Sequence, residues 1–421
     1  MPPDGVAAAP GPVANVVSSG SGPKVAAPGP APNVALPGPA SNRVADPAPT
    51  LDPDPDPGRI SPAQGWRVLR RILAGSAGAF LLVWAWVALA PLAFLEPEYA
   101  AWRAKQVLLK RCDLGELLVL GDSRAAVGIM PAGLPMPATN LAVGGGKPIE
   151  ALAALQRALR CPVLPRQVLL SFDAVHFMRP DLFWERAVRF GWMAWDDLRT
   201  LRAESMTLGD ATLAPGDGFA SGPFGGRFAD ARSWLHDALH AIRAPPLYVG
   251  SLVQGGVALR WAGNRRALAE TLAARGQYFF GSAAGSDAVA VDGHLAAFHP
   301  APVLDRAFDR LLSALAARGL PVVFVPMPIN QSTAAAVRPE VRAAFAAYLA
   351  AYARRYPNLR VLGPPMPAWP DRWFGDAFSH LNPAGAARLT AALAACLAPA
   401  EGGAAAAADE AIAPRGADLL A

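Results

Sequence analysis

Leu117-Leu118-Val119-Leu120-Gly121-Asp122-Ser123-Arg124 is the stretch whose reading decides the fold. A short apolar run that stops at a glycine reads as a buried strand, and the residues after the glycine read as a turn into a helix. Working outward, the same alternation recurs. Residues 138–143 form a second short apolar run that ends in Gly144-Gly145-Gly146, residues 149–159 have helical periodicity, and residues 167–172 are again strand-like. Far downstream a helix is expected over 303–317, a strand over 321–326, a helix over 340–356, a strand over 359–362 and a closing helix over 384–397. Strands spaced by helices predict an α/β fold, a three-layer αβα arrangement with a parallel sheet. Ligands of such sheets sit at the carboxyl ends of the strands.

The flanks differ in kind. The chain has 421 residues, 53% hydrophobic and 17% charged, with 39 Gly and 43 Pro. Much of that Gly and Pro lies in residues 1–65, a Pro/Ala/Gly-rich stretch too poor in large apolar residues to offset its ordering entropy. It is expected to be a disordered tail, as is the Ala-rich 401–421. Residues 72–95 carry no charge and, at about 1.5 Å per residue, are long enough for a hydrocarbon core of about 30 Å. The anchor is therefore placed within 66–95, as one transmembrane helix. Arg67, Arg70 and Arg71 precede it and Glu96 and Glu98 come after it, which by the positive-inside rule puts the tail in the cytoplasm and residues 96–400 outside. The pattern is interrupted over 177–300, an insertion with Trp184, Trp192, Trp195, Trp234 and Trp261. It is read as helical excursions that form a lid or docking surface.

Composition also excludes. The net charge of +5 comes from 38 basic and 33 acidic residues without a basic block bearing aromatics, so no nucleic-acid partner is expected. Three cysteines and six histidines argue against a zinc domain or a multi-histidine cluster, and neither metal nor cofactor is expected. Gly144-Gly145-Gly146-Lys147-Pro148 has the wrong spacing for a phosphate loop and lacks its Ser/Thr. Cys112 and Cys161 each precede a strand valine (Val119, Val168) by seven residues, so parallel strands bring both thiols to one end of the sheet. That allows a disulfide in an exported domain or two buried thiols, with Cys396 free in either case.

Two blocks can carry chemistry. Ser123 at a strand-to-helix transition lifts its hydroxyl above the sheet, where a base can reach it. Near the C-terminus stands Trp373-Phe374-Gly375-Asp376-Ala377-Phe378-Ser379-His380-Leu381-Asn382-Pro383. Asn382 suits a helix N-cap and Pro383 the first helical position, which leaves His380 in the preceding loop with Asp376 close enough to orient it. His176, just past Asp173, is read as structural, as are His294 with His299 and His236 with His240.

With these blocks in this order, the chain resembles the SGNH/GDSL hydrolase superfamily, in particular its membrane-anchored bacterial branch acting on cell-wall polymers and on exopolysaccharide acetylation. The resemblance spans roughly residues 117–397, apart from the insertion. It implies a flavodoxin-like sheet, a Ser123 nucleophile, a His380 base, an orienting Asp376, and an oxyanion site formed by the Ser123 N–H and Gly144 or Gly145. The chain departs from the family twice. Asp376 lies four residues before the histidine rather than three, with Asp371 as the alternative, and Ser171-Phe172-Asp173 stands where the family has an asparagine donor. Asp173 is accordingly the residue expected at that corner. The implied function is O-acyl ester hydrolysis or acyl transfer on a cell-envelope or extracellular polysaccharide. The implied location is the bacterial inner membrane with the domain in the periplasm, beside a membrane-bound acyltransferase. A degenerate site that only binds a glycan or recruits such a partner is the second expectation.

Overall fold

The computed structural model describes residues 61–210, 213 and 257–397. Residues 1–60 and 401–421 of the expected tails, together with Trp234, His236 and His240 of the insertion, lie outside the described residues, whereas Pro62–Gly65, expected in the tail, form the first turn of a helix. In chain order, the elements before the insertion are α1 (Pro62–Leu89), α2 (Pro91–Phe94), α3 (Glu98–Arg111), β1 (Leu117–Gly121), α4 (Ser123–Gly128), β2 (Ala138–Asn140), α5 (Pro148–Ala158) and β3 (Gln167–Ser171). Within the described part of the insertion come α6 (Val175–Met178), a single π-helical turn (Phe183–Val188), α7 (Trp195–Thr207) and α8 (Val257–Ala273). After it come α9 (Pro302–Ala316), β4 (Val322–Phe324), β5 (Ile329–Asn330), α10 (Gln331–Ala336), α11 (Pro339–Arg355), β6 (Leu359–Val361), β7 (Ala368–Trp369) and α12 (Pro383–Leu397).

The protein is α/β, with a five-stranded parallel sheet in the order β2-β1-β3-β4-β6 and a separate parallel pair β5-β7. Strands of three to five residues expose little edge, and their side chains alternate between two apolar clusters. Leu118, Leu120, Val168 and Leu170 enter one, and Leu117, Val119, Leu169 and Val323 the other. That division is the period-two consequence of the pleat, and it explains why these strands read as unbroken apolar runs.

Register positions the site. Gly121 pairs with Ser171, so β1 and β3 end side by side, and Val143 N donates to Gly121 O at 3.1 Å, which brings the residues after β2 to the same edge. The chain leaves β1 for β2 on one side and later returns to β3 on the other, so Ser123 stands where the strand order reverses. In open α/β sheets, ligands bind outside the carboxyl ends of the strands at such a reversal. Gly121 makes the turn possible: its φ is +156°, and a Cβ there would collide with Ser171 O.

The expected anchor is revised at its far end. α1 is exposed along most of its length, and its 25 residues Pro62–Trp86, charged only at Arg67, Arg70 and Arg71, are long and apolar enough to cross a membrane. It stops at Leu89, because Pro91 has no N–H to continue the ladder. Ala93, Phe94 and Leu95 are buried in the domain rather than in the span. Asn264 on α8 secures this passage by donating to Leu92 O (2.8 Å) and Leu95 O (2.9 Å). α3 begins at once, with Glu98 in its first turn and Lys110 and Arg111 in its last, as the helix dipole favours. Cys112, which caps α3 in a left-handed conformation (φ 54°), is joined to Cys161 by a disulfide. Cys396 is free.

Candidate active site

Ser123 is the first residue of α4 and is half-buried. Asp122 precedes it as N-cap: its Oδ1 accepts from Arg124 N (2.9 Å) and Ala125 N (3.2 Å), and its Oδ2 from Asp173 N (2.9 Å). Three backbone donors thus fix one fully buried carboxylate, and with it the angle at which Ser123 leaves the sheet. Among the described residues, the backbone N–H groups of Ser123, Gly144 and Gly145 have no internal acceptor. These are the donors an oxyanion would need.

The glycine loop that supplies two of them is held from behind. Asn140 donates to Ala125 O (2.9 Å) and Ile129 O (2.8 Å) and accepts from Ala142 N (3.1 Å), so it ties the loop to α4. Two buried lysines grip the loop's carbonyls: Lys105 Nζ donates to Ala142 O, and Lys147 Nζ to Gly145 O and Asp181 O. Burial lowers both ammonium groups, Lys105 to about 7 against the opposing pull of Glu98. Glu98 itself lies against Gly144, where a Cβ would strike its Oε1. A bare carboxylate there would oppose an oxyanion. Burial raises the Glu98 carboxyl, while Arg186 Nη2 at 2.7 Å from its Oε2 and Trp102 Nε1 at 3.3 Å from its Oε1 offset its charge.

His380 carries the orienting contact expected of it: its Nδ1 is 2.6 Å from Asp376 Oδ2. Burial would raise the Asp376 carboxyl, but the bond and charge of His380 hold it below its ordinary value. The four-residue spacing is accommodated by Ser379, which adopts φ 59° and donates to Asn330 Oδ1 at 3.2 Å. The added residue is therefore taken up by a buried left-handed turn against Asn330 and leaves the His–Asp pair intact. Asp371, the alternative, instead accepts from Ser332 N and Oγ, both at 3.3 Å. Asn382 caps α12 as expected, accepting from Gly385 N at 3.0 Å. With Nδ1 engaged by the carboxylate, Nε2 is the nitrogen left to take a proton. Phe280 stacks on the imidazole, ring centroids 4.9 Å apart and planes 26° apart.

One side chain links the two blocks. Arg124 Nε donates to Phe378 O at 3.3 Å, which fastens the histidine loop to the residue after Ser123. The rest of the guanidinium is buried against Asp292, with Asp173 Oδ2 at 3.4 Å. Among the described residues, no hydrogen bond joins Ser123 Oγ to the His380 ring. Such bonds are often long without substrate and tighten in the reacting complex.

Asp173 does not serve as an oxyanion donor. Its carboxylate turns to Arg124 and to His176, whose Nδ1 is 2.7 Å from Asp173 Oδ1 and 3.1 Å from Asp122 Oδ2. Burial alone would depress the imidazolium, but Asp173 and Asp122 outweigh it and push His176 up to about 9. Burial would also raise Asp173, yet His176 and Arg124 hold it well below the carboxylate range. Asp122, Asp173 and His176 place ligand atoms within 4.8 Å of one another, close enough for a metal ion. Both Asp122 oxygens already accept from backbone, however, and Arg124 supplies the neighbouring cation. The cluster reads as an internal ion network beneath Ser123.

Sequence reasoning did not find Arg124, Asp292, Glu98, Arg186 or Phe280. Of these only Arg124 left a signal, an arginine directly inside a buried strand-to-helix turn. No family model matches the chain, and neither a curated protein nor a solved structure matches it.

Proposed function

We propose that the chain is a membrane-anchored serine O-acyl esterase or acyltransferase of SGNH type, with a three-layer, flavodoxin-like αβα domain. It acts on a cell-envelope or extracellular polysaccharide from the outer side of the bacterial inner membrane. The observation that carries this reading is the His380–Asp376 pair, 2.6 Å apart and tied through Arg124 and Phe378 to the turn that bears Ser123. In the reaction, Ser123 Oγ attacks the acyl carbonyl carbon as His380 Nε2 takes its proton. Asp376 stabilises the imidazolium, and the N–H groups of Ser123, Gly144 and Gly145 receive the developing oxyanion. Collapse expels the alcohol with the proton from His380. Water, or a sugar hydroxyl in the transfer mode, then attacks the acyl-Ser123 ester with His380 again as base. A membrane-bound acyltransferase is the partner that would supply acyl groups in that mode.

Among the described residues no asparagine donor stands beside Ser123, where Asp173 is locked into an ion pair, and this favours one second reading: an SGNH-type binding protein that holds a glycan or recruits the acyltransferase. Turnover separates the two. The full chain in detergent is expected to release p-nitrophenol from p-nitrophenyl acetate, and Ser123→Ala to lower that rate at least a hundredfold. Equal rates in wild type and Ser123→Ala would remove the enzymatic reading.

A further inference from the structure

Phe378 lies two residues before His380 and is 65% exposed, with its ring centroid 6.0 Å from that of the histidine. Its backbone is anything but free. Phe378 N donates to Asp376 Oδ1 at 2.8 Å, its carbonyl accepts from Arg124 Nε at 3.3 Å, and the next residue, Ser379, is buried in a left-handed conformation held by Asn330. A non-glycine residue at φ 59° is strained and persists where the surroundings enforce it. Here the enforced left-handed turn leaves one aromatic ring exposed to solvent beside His380. Phe280 stacks on His380 with ring centroids 4.9 Å apart, and Tyr278 meets Phe280 edge-on at 5.3 Å.

Resting on the esterase or acyltransferase reading, we infer that Phe378 is the platform on which a pyranose ring of the substrate stacks, placing an acylated or acceptor hydroxyl at Ser123. A flat, exposed ring with a fixed backbone loses little entropy on binding. A pyranose offers it an apolar C–H face, while its equatorial hydroxyls point to the rim, where the Asp376 side chain is 20% exposed and Arg186 27% exposed. An acyl chain would need enclosing apolar walls, whereas the Phe378 ring is 65% exposed.

The test compares wild type, Phe378→Ala and Phe378→Trp, each as the full chain in detergent, on p-nitrophenyl acetate, p-nitrophenyl octanoate and partially O-acetylated β-1,4-linked glucose and N-acetylglucosamine pentasaccharides. Phe378→Ala is expected to lower kcat/KM on a pentasaccharide at least tenfold more than on p-nitrophenyl acetate, chiefly through KM. Phe378→Trp is expected to retain most of it. An equal fractional loss on all esters would overturn the platform, as would a selective loss on the octanoate, which would assign the ring to an acyl chain. Were wild type inert on every ester, the enzymatic reading would fail alone. The platform would then be judged by saturation-transfer NMR with the unacylated pentasaccharides: contacts present in wild type and absent from Phe378→Ala uphold it, and contacts unchanged or absent in both overturn it.

Discussion

At the scale of single residues, the site rests on Asp122. Three backbone N–H groups and the His176 ring converge on its buried carboxylate. Asp122→Ala removes those acceptors and leaves an imidazolium with one counter-ion, so it should cost about 3–5 kcal/mol. Thermal denaturation in detergent should show a drop of roughly 10 °C; a change within 2 °C or so would contradict the role assigned to it. His176 gives a pH signature. Its folded value of about 9 exceeds the unfolded 6.5, so its stabilising contribution is complete below pH 6.5 and is lost as pH rises through 9. The stability difference between wild type and His176→Gln should therefore be level below about pH 6 and shrink between pH 6.5 and 9. A difference independent of pH would mean that the imidazole is neutral in the fold. For Asp376→Asn the orientation argument predicts a fall in kcat of about 10³–10⁴ with little change in KM.

The same scale shows what the sequence could reveal. Ser123, Asp376 and His380 are legible because each lies at a local signal: a strand end, a loop before a capped helix, a spacing of four. Asp173 stands at the end of β3 as expected but has a different partner, since its neighbours Arg124 and His176 compete for its charge and no one-dimensional pattern records that competition. Asp292 and Glu98 reach the site from 169 positions after and 25 positions before Ser123, and side chains brought in by tertiary packing leave no periodic trace.

At the scale of elements, the sheet emerges from the apolar runs because β1, β2 and β4 are buried throughout and β3 in all but its first residue, while the edge strand β6 exposes only Arg360. The strands are shorter than the runs: β2 ends at Asn140, whose side chain turns back to α4. The expected anchor is too long for the opposite reason, since residues 91–95 are as apolar as a membrane span but belong to the domain core. Two element-level results bear on this. Gly121→Ala should separate β1 from β3, because its Cβ meets Ser171 O, and should lose the cooperative unfolding transition. Retention of wild-type melting would show that the turn tolerates a side chain. The Cys112–Cys161 bridge closes a loop of 49 residues, worth about 4 kcal/mol in the chain-entropy picture. Reduction should accordingly lower the wild-type melting temperature and leave that of a Cys112→Ser/Cys161→Ser double variant unmoved.

At the scale of the whole molecule, the helix long and apolar enough to cross a membrane is followed within a few residues by the candidate site: Glu98, nine positions after the end of α1, lies on the glycine loop beside Ser123. Only α2 and the start of α3 separate the two, which suits the proposed function of an enzyme working close to the bilayer surface. All of this rests on an activated Ser123. The most direct measurement is intact-mass analysis of the full chain in detergent after treatment with a fluorophosphonate, with Ser123→Ala and His380→Ala alongside. The account predicts one adduct on wild type, none on Ser123→Ala and adduct formation slowed at least a hundredfold in His380→Ala. A folded wild-type protein that stays unmodified, or that reacts as fast without His380, would contradict it.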